Sequence, residues 1–113
     1  MEKEEKKVKV KIIINDYIIE NIGILVNDTL KVKDDDTNIL FNYGNLTLTR
    51  KNEEKEIILD FKNNILTYQI TGIPNKFSNN LTILSLTNND KQVIINYQIE
   101  ENKFYLSINI ETI

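Results

Sequence analysis

The chain contains neither cysteine nor histidine in its 113 residues. Without cysteine there are no disulfides and no thiolate metal ligands. Without histidine, imidazole acid–base chemistry, histidine triads and histidine-ligated zinc or haem are all excluded. Tryptophan and alanine are also missing, and there is one proline, Pro74, and one arginine, Arg50. Isoleucine, asparagine and lysine dominate instead, as in an AT-rich coding sequence, so asparagine-rich stretches are discounted as functional signals. The net charge is only −3, with both signs interspersed. That lacks the clustered basic excess of a nucleic-acid-binding surface. No stretch approaches a membrane span, and MEKEEKKVKVK runs into IIINDYIIE without a signal-peptide core. The expected location is cytoplasmic, with no membrane and no nucleic-acid partner.

What is present is alternation. In Lys91–Thr112 the apolar residues Val93, Ile95, Tyr97 and Ile99, then Phe104, Leu106, Ile108 and Ile110, occupy every second position. Gln92, Asn96, Gln98, Ser107 and Asn109 fall between them. This period of two predicts a hairpin with one dry face, turning at Glu101-Asn102. A lone hairpin does not hold its apolar face in water, so the rest of the chain must cover it.

The same pattern recurs upstream in short runs: Lys7–Ile14, Tyr17–Val26, Leu30–Lys33, Asn38–Asn42, Leu46–Arg50, Lys55–Lys62, Ile65–Thr71 and Leu81–Thr87. Polar turns of two to four residues separate them. Lys9 and Lys11 point outward and guard the first strand against edge pairing. Gly23 inside a strand pattern predicts a bulge or sharp bend. Gly72–Asn79, which holds Pro74, is expected to be the longest loop. Residues 1–6 form a disordered charged tail and 7–113 one domain. About ten short sequential strands predict an all-β fold, a single antiparallel meander β-barrel, with a β-sandwich as the alternative.

Four residues are candidates for ligand binding: Arg50, Tyr68, Tyr97 and Phe104. Arg50 shares a face with Leu46 and Leu48, so its guanidinium either forks onto a ligand carboxylate or phosphate or caps the end of the barrel. Tyr68, Tyr97 and Phe104, with Phe41 and Phe61, either line a cavity or fill the interior. Asp34-Asp35-Asp36-Thr37-Asn38 opens like a calcium loop, but Ile39 and Asn45 stand where that loop needs glycine and glutamate. Glu53, Glu54, Glu100 and Glu101 lie in turns and form no catalytic pair. No metal, no cofactor and no enzymatic activity are expected.

LTLTRKN (Leu46–Asn52), ILDFK (Ile58–Lys62), a strand bearing Tyr68, LTILSL (Leu81–Leu86) and VIINYQIE (Val93–Glu100) follow one another in an order that resembles the YwiB-like family. This is a bacterial domain-of-unknown-function family. The resemblance implies a calycin-like, lipocalin-shaped barrel and no activity. The functional expectation is a barrel that binds a small, mostly apolar ligand inside. The alternative is a non-catalytic protein-interaction or structural module with a filled barrel. Either would be a monomer or a homodimer.

Overall fold

The computed structural model describes residues 5–89 and 91–113, which form strands and turns with no helix among them. The strands are β1 (Glu5–Ile14), β2 (Tyr17–Val26), β3 (Thr29–Asp34), β4 (Thr37–Asn42), β5 (Thr47–Lys51), β6 (Lys55–Asp60), β7 (Ile65–Ile70), β8 (Lys76–Asn80), β9 (Thr82–Asn88), β10 (Gln92–Ile99) and β11 (Asn102–Thr112). They make one antiparallel sheet in the order β8-β7-β6-β5-β4-β3-β2-β1-β11-β10-β9, curled into a nearly closed barrel. The all-β meander barrel read from the alternation is therefore the fold, and the sandwich is not.

Inward residues follow the period of two. Val8, Val10 and Ile12 of β1, Leu30 and Val32 of β3, and Ile39 and Phe41 of β4 are buried. So are Val93, Ile95 and Tyr97 of β10 and Leu106 and Ile108 of β11. Ser107 stays on the opposite face as expected, yet it is also buried, with its Oγ accepting a hydrogen bond from Asn109 Nδ2 at 2.9 Å.

The turns explain where the asparagines and aspartates go. Asn15, Asn27 and Asp35 each open a two-residue turn in the left-handed region, with φ of 52°, 53° and 53°. Asn and Asp tolerate that region better than most side chains. Asn52 Oδ1 accepts the backbone N–H of Glu54 and Lys55, and Asn89 Oδ1 that of Lys91 and Gln92. Much of the asparagine content is thus turn chemistry. The β10–β11 turn is Glu100-Glu101, one residue earlier than expected, because Ile99 pairs with Asn102. Its left-handed residue is Glu100, φ 55°.

Four further expectations need correction. β1 starts at Glu5, so Glu5 and Lys6 belong to the sheet, paired with Val26 and Leu25; residues 1–4 of the expected tail lie outside the described residues. Gly72–Asn79 is not all loop, since Lys76–Asn80 pairs with β7. Of the bulge or sharp bend expected at Gly23, the bulge is absent from the β1–β2 ladder, whose register runs unbroken from Glu5↔Val26 to Ile14↔Tyr17. Finally, β1 is not an edge. It pairs with β2 on one side and β11 on the other.

Gly23 marks instead the point where β2 leaves β3. These two strands pair only through Ile24, Leu25 and Val26. Beyond that, side chains span the gap: Asn21 Nδ2 donates to Lys33 O at 2.7 Å and the Tyr17 hydroxyl to Asp34 Oδ2 at 2.5 Å.

The ends of the sheet, β8 and β9, are consecutive in the chain, with only Leu81 between them. Leu81 is buried, and its N–H bonds to Asn64 O at 3.0 Å. The segment from Lys76 to Asn88 pairs with β7 through its first half and with β10 through its second. Each half keeps one unpaired edge.

Candidate functional site

The inward row Val32, Ile39, Arg50, Ile57, Tyr68 and Phe77 crosses β3 to β8 in direct register. Alternation therefore placed Arg50 correctly on the core face of β5, near the barrel end that carries the Asp35-Asp36 and Glu100-Glu101 turns. Its side chain is half-buried between Ile39 and Ile57. The Nε is shut off from solvent and has no hydrogen-bond partner in the structure. Among the described residues the one ion pair is Lys11 with Glu20 at 3.9 Å, so no carboxylate pairs with Arg50. The space beside it measures about 40 Å³ and is lined by Thr37, Asn52, Lys55 and Ile57.

Tyr97 and Phe104 meet as a cross-strand pair, with rings stacked at 5.2 Å and 15°. On its other side Tyr97 meets Phe61 edge-on at 5.2 Å. Burial pushes the Tyr97 hydroxyl above its ordinary value, and the Arg50 charge pulls it back in part. Tyr68 lies apart from that stack and faces Phe77 at 6.4 Å. The four candidates thus fall into an aromatic plug, Tyr97 and Phe104, and a row nearer the mouth, Arg50 and Tyr68. Phe41 and Phe61 are core residues, 0 % and 2 % exposed.

The aromatic side chains occupy the interior. Concavities of ligand size lie elsewhere. One of about 870 Å³ opens on the outer face beside Lys9, Lys11, Asn21, Gln92 and Asn109. Another of about 550 Å³ lies at the end where β1 starts and β11 finishes, beside Lys6, Val8, Ile110 and Ile113. Small-molecule sites occupy roughly 300–1,000 Å³ and enclose most of their guest. Among the described residues no three Asp, Glu, His or Cys side chains converge to hold a metal ion. In the acidic turn, Asp34 takes the Tyr17 hydroxyl and Asp36 accepts a long 3.4 Å bond from Thr37 Oγ1.

Tyr43, in the turn between β4 and β5, belongs to the packed interior. Its ring packs edge-on against Phe41 at 4.9 Å, and its hydroxyl is buried without a partner. Burial pushes that hydroxyl from 10.0 up to about 12. The folded protein therefore keeps a proton that the unfolded chain releases, so stability is unaffected below pH 10 and falls as pH rises from 10 to about 12. Tyr43→Phe removes an unpaired buried group and is expected to raise stability by about 1 kcal/mol at neutral pH. It is also expected to flatten the alkaline loss. Urea titrations of both proteins across that pH range check the two effects together.

The free edge of β9 is the other feature of note. Asn89 N–H bonds to Gln92 O, so by antiparallel alternation Thr87 and Ser85 turn their backbone groups toward β10. Leu86 and Asn88 then direct N–H and C=O away from the sheet. A register shift at Asn96/Tyr97 leaves Leu84 as an extra, bulged residue. Leu84 and Leu86 are 49 % and 38 % exposed. Alternation within a strand carries no information about which strands lie at the sheet's ends, so this edge left no signal in the sequence pattern.

Among the described residues no helix is long and apolar enough to cross a membrane. No family model, no curated protein and no solved structure matches the chain.

Proposed function

We propose that the protein is a non-catalytic interaction module in which a filled barrel presents the strand β9, and that a protein partner adds an extended segment to the free edge of that strand. The observation that carries this reading is the edge itself. Phe77–Asn89 contains no charged residue, in a chain where 27 % of residues are charged. Edge strands are ordinarily blunted by lysine, proline or inward charge. Here β1, which is paired on both sides, carries four lysines, and the end strand β9 carries none. Addition of a strand supplies affinity through main-chain hydrogen bonds and specificity through pockets for alternate side chains.

A YwiB-like, calycin-like assignment and a bacterial, cytoplasmic setting belong to the same proposal. The residues that resemble the family lie in order on and beside β5, β6, β7, β9 and β10, and a cysteine-free chain needs no oxidising compartment. The packed interior favours the interaction module over capture of a small apolar ligand within the barrel.

Leu86→Pro tests the edge, since it deletes a donor that points away from β10 and leaves the β9–β10 ladder intact. Proteins retained by the parent are expected to be lost by the variant at unchanged thermal stability. They are also expected to slow hydrogen exchange at Leu86 and Asn88. Retention of the same set by both proteins, or protection confined to another face, would count against the edge.

A further inference from the structure

We propose that the space beside Arg50 is a site for one monatomic anion of the size of chloride or bromide. A guanidinium is charged at every accessible pH and carries five N–H donors. Among the described residues those of Arg50 pair with no carboxylate, and its Nε is buried without a partner. A half-buried cation held against Ile39 and Ile57 has lost part of its hydration, and a small anion in contact with it would restore that energy.

The walls of the space supply donors and no acid. Asn52 spends its Oδ1 on the backbone N–H of Glu54 and Lys55, at 2.8 and 3.0 Å, which leaves its amide Nδ2 as a donor. Lys55 adds a second cation and Ile57 an apolar wall, while the Thr37 hydroxyl already donates to Asp36 Oδ1 at 3.4 Å. Two cations and an amide therefore line a volume of about 40 Å³ with no carboxylate among its lining residues. One water needs about 10–15 Å³ of such space, so the recess takes one small ion or a few waters. Sulfate and phosphate, with five heavy atoms each, do not fit. Water is the competing occupant, but it brings no charge to offset two cations at short range, where the medium screens less than bulk water. The site is independent of the β9 edge.

Thermal unfolding at constant ionic strength discriminates the occupants. Chloride and bromide are expected to raise the midpoint saturably, by on the order of 5 °C at about ten times the dissociation constant. Acetate is expected to leave it unmoved, and sulfate to raise it without saturation and equally in the parent and Arg50→Met. Arg50→Met should abolish the halide effect and Lys55→Gln should weaken it. Crystals grown in sodium bromide should show one anomalous peak within contact of Arg50. Equal midpoints in all four salts, a halide effect that survives Arg50→Met, or a bromide crystal with only water at that position would each overturn the assignment.

Discussion

Replacing Phe41 by alanine is expected to remove about 3–5 kcal/mol of stability. Phe41 is 0 % exposed, and its strand neighbours Leu30 and Leu48 are each 1 % exposed. Tyr43 meets the ring edge-on. The size of the effect depends on whether the wall can close over the lost ring. Here it cannot close easily, because β4 is hydrogen-bonded to β3 on one side and β5 on the other, which fixes the barrel's radius at that level. A domain of this size has a total stability of roughly 5–15 kcal/mol, so this one change takes a large share of it. Phe77 is the matched control. It faces inward by register, yet it is 56 % exposed on an end strand, and Phe77→Ala should cost under about 1 kcal/mol. Urea midpoints of the two variants measure the contrast. Equal losses would mean that Phe41 does not anchor the core.

Gly23→Ala is expected to be the next most damaging change, at about 1–3 kcal/mol, although it adds a single methyl group. That methyl carbon would stand 2.7 Å from Val10 Cγ2 and 2.9 Å from the carbonyl oxygen of Lys31. Val10 is itself packed and 3 % exposed, and the oxygen belongs to backbone in the β2–β3 ladder, so neither can give way freely. Gly72 provides the comparison. A methyl group there meets nothing within 4 Å, although its φ of +87° makes any side chain strained. Alanine at 23 should therefore disturb packing and widen the β2–β3 separation, whereas alanine at 72 should strain only a turn. The amide resonances of Lys31 and Lys33 are expected to shift in the first variant alone, and no change at either residue would contradict the crowding argument.

The barrel was legible because burial follows a period of two, and that period survives in β1 and β10 almost without interruption and in β11 is broken at Ser107. β8 was not legible because every residue of Lys76–Asn80 is exposed. Its strand character comes from backbone pairing with β7, which leaves no apolar alternation, and Gly72 and Pro74 just before it signal a loop. The inward direction of Arg50 could be read from Leu48 two residues earlier. The want of a partner for it could not, since that depends on which distant turns surround the barrel mouth. Tyr43 was hidden by Gly44 beside it. A tyrosine in a turn reads as exposed until Phe41 is known to lie beneath it.

The position of β1 between β2 and β11 has a consequence in time. Val8 pairs with Thr112 and Ile14 with Leu106, so the strand made first is completed by the strand made last. Synthesis proceeds from the N-terminus, and contacts between such distant residues form slowly. Throughout that interval one side of β1 stands open beside β2, a template for any other nascent strand. Lys7, Lys9 and Lys11, at alternate positions along it, make that side a poor partner for apolar strands. In the finished barrel those lysines protect no edge, and their guard falls in the interval before β11 arrives.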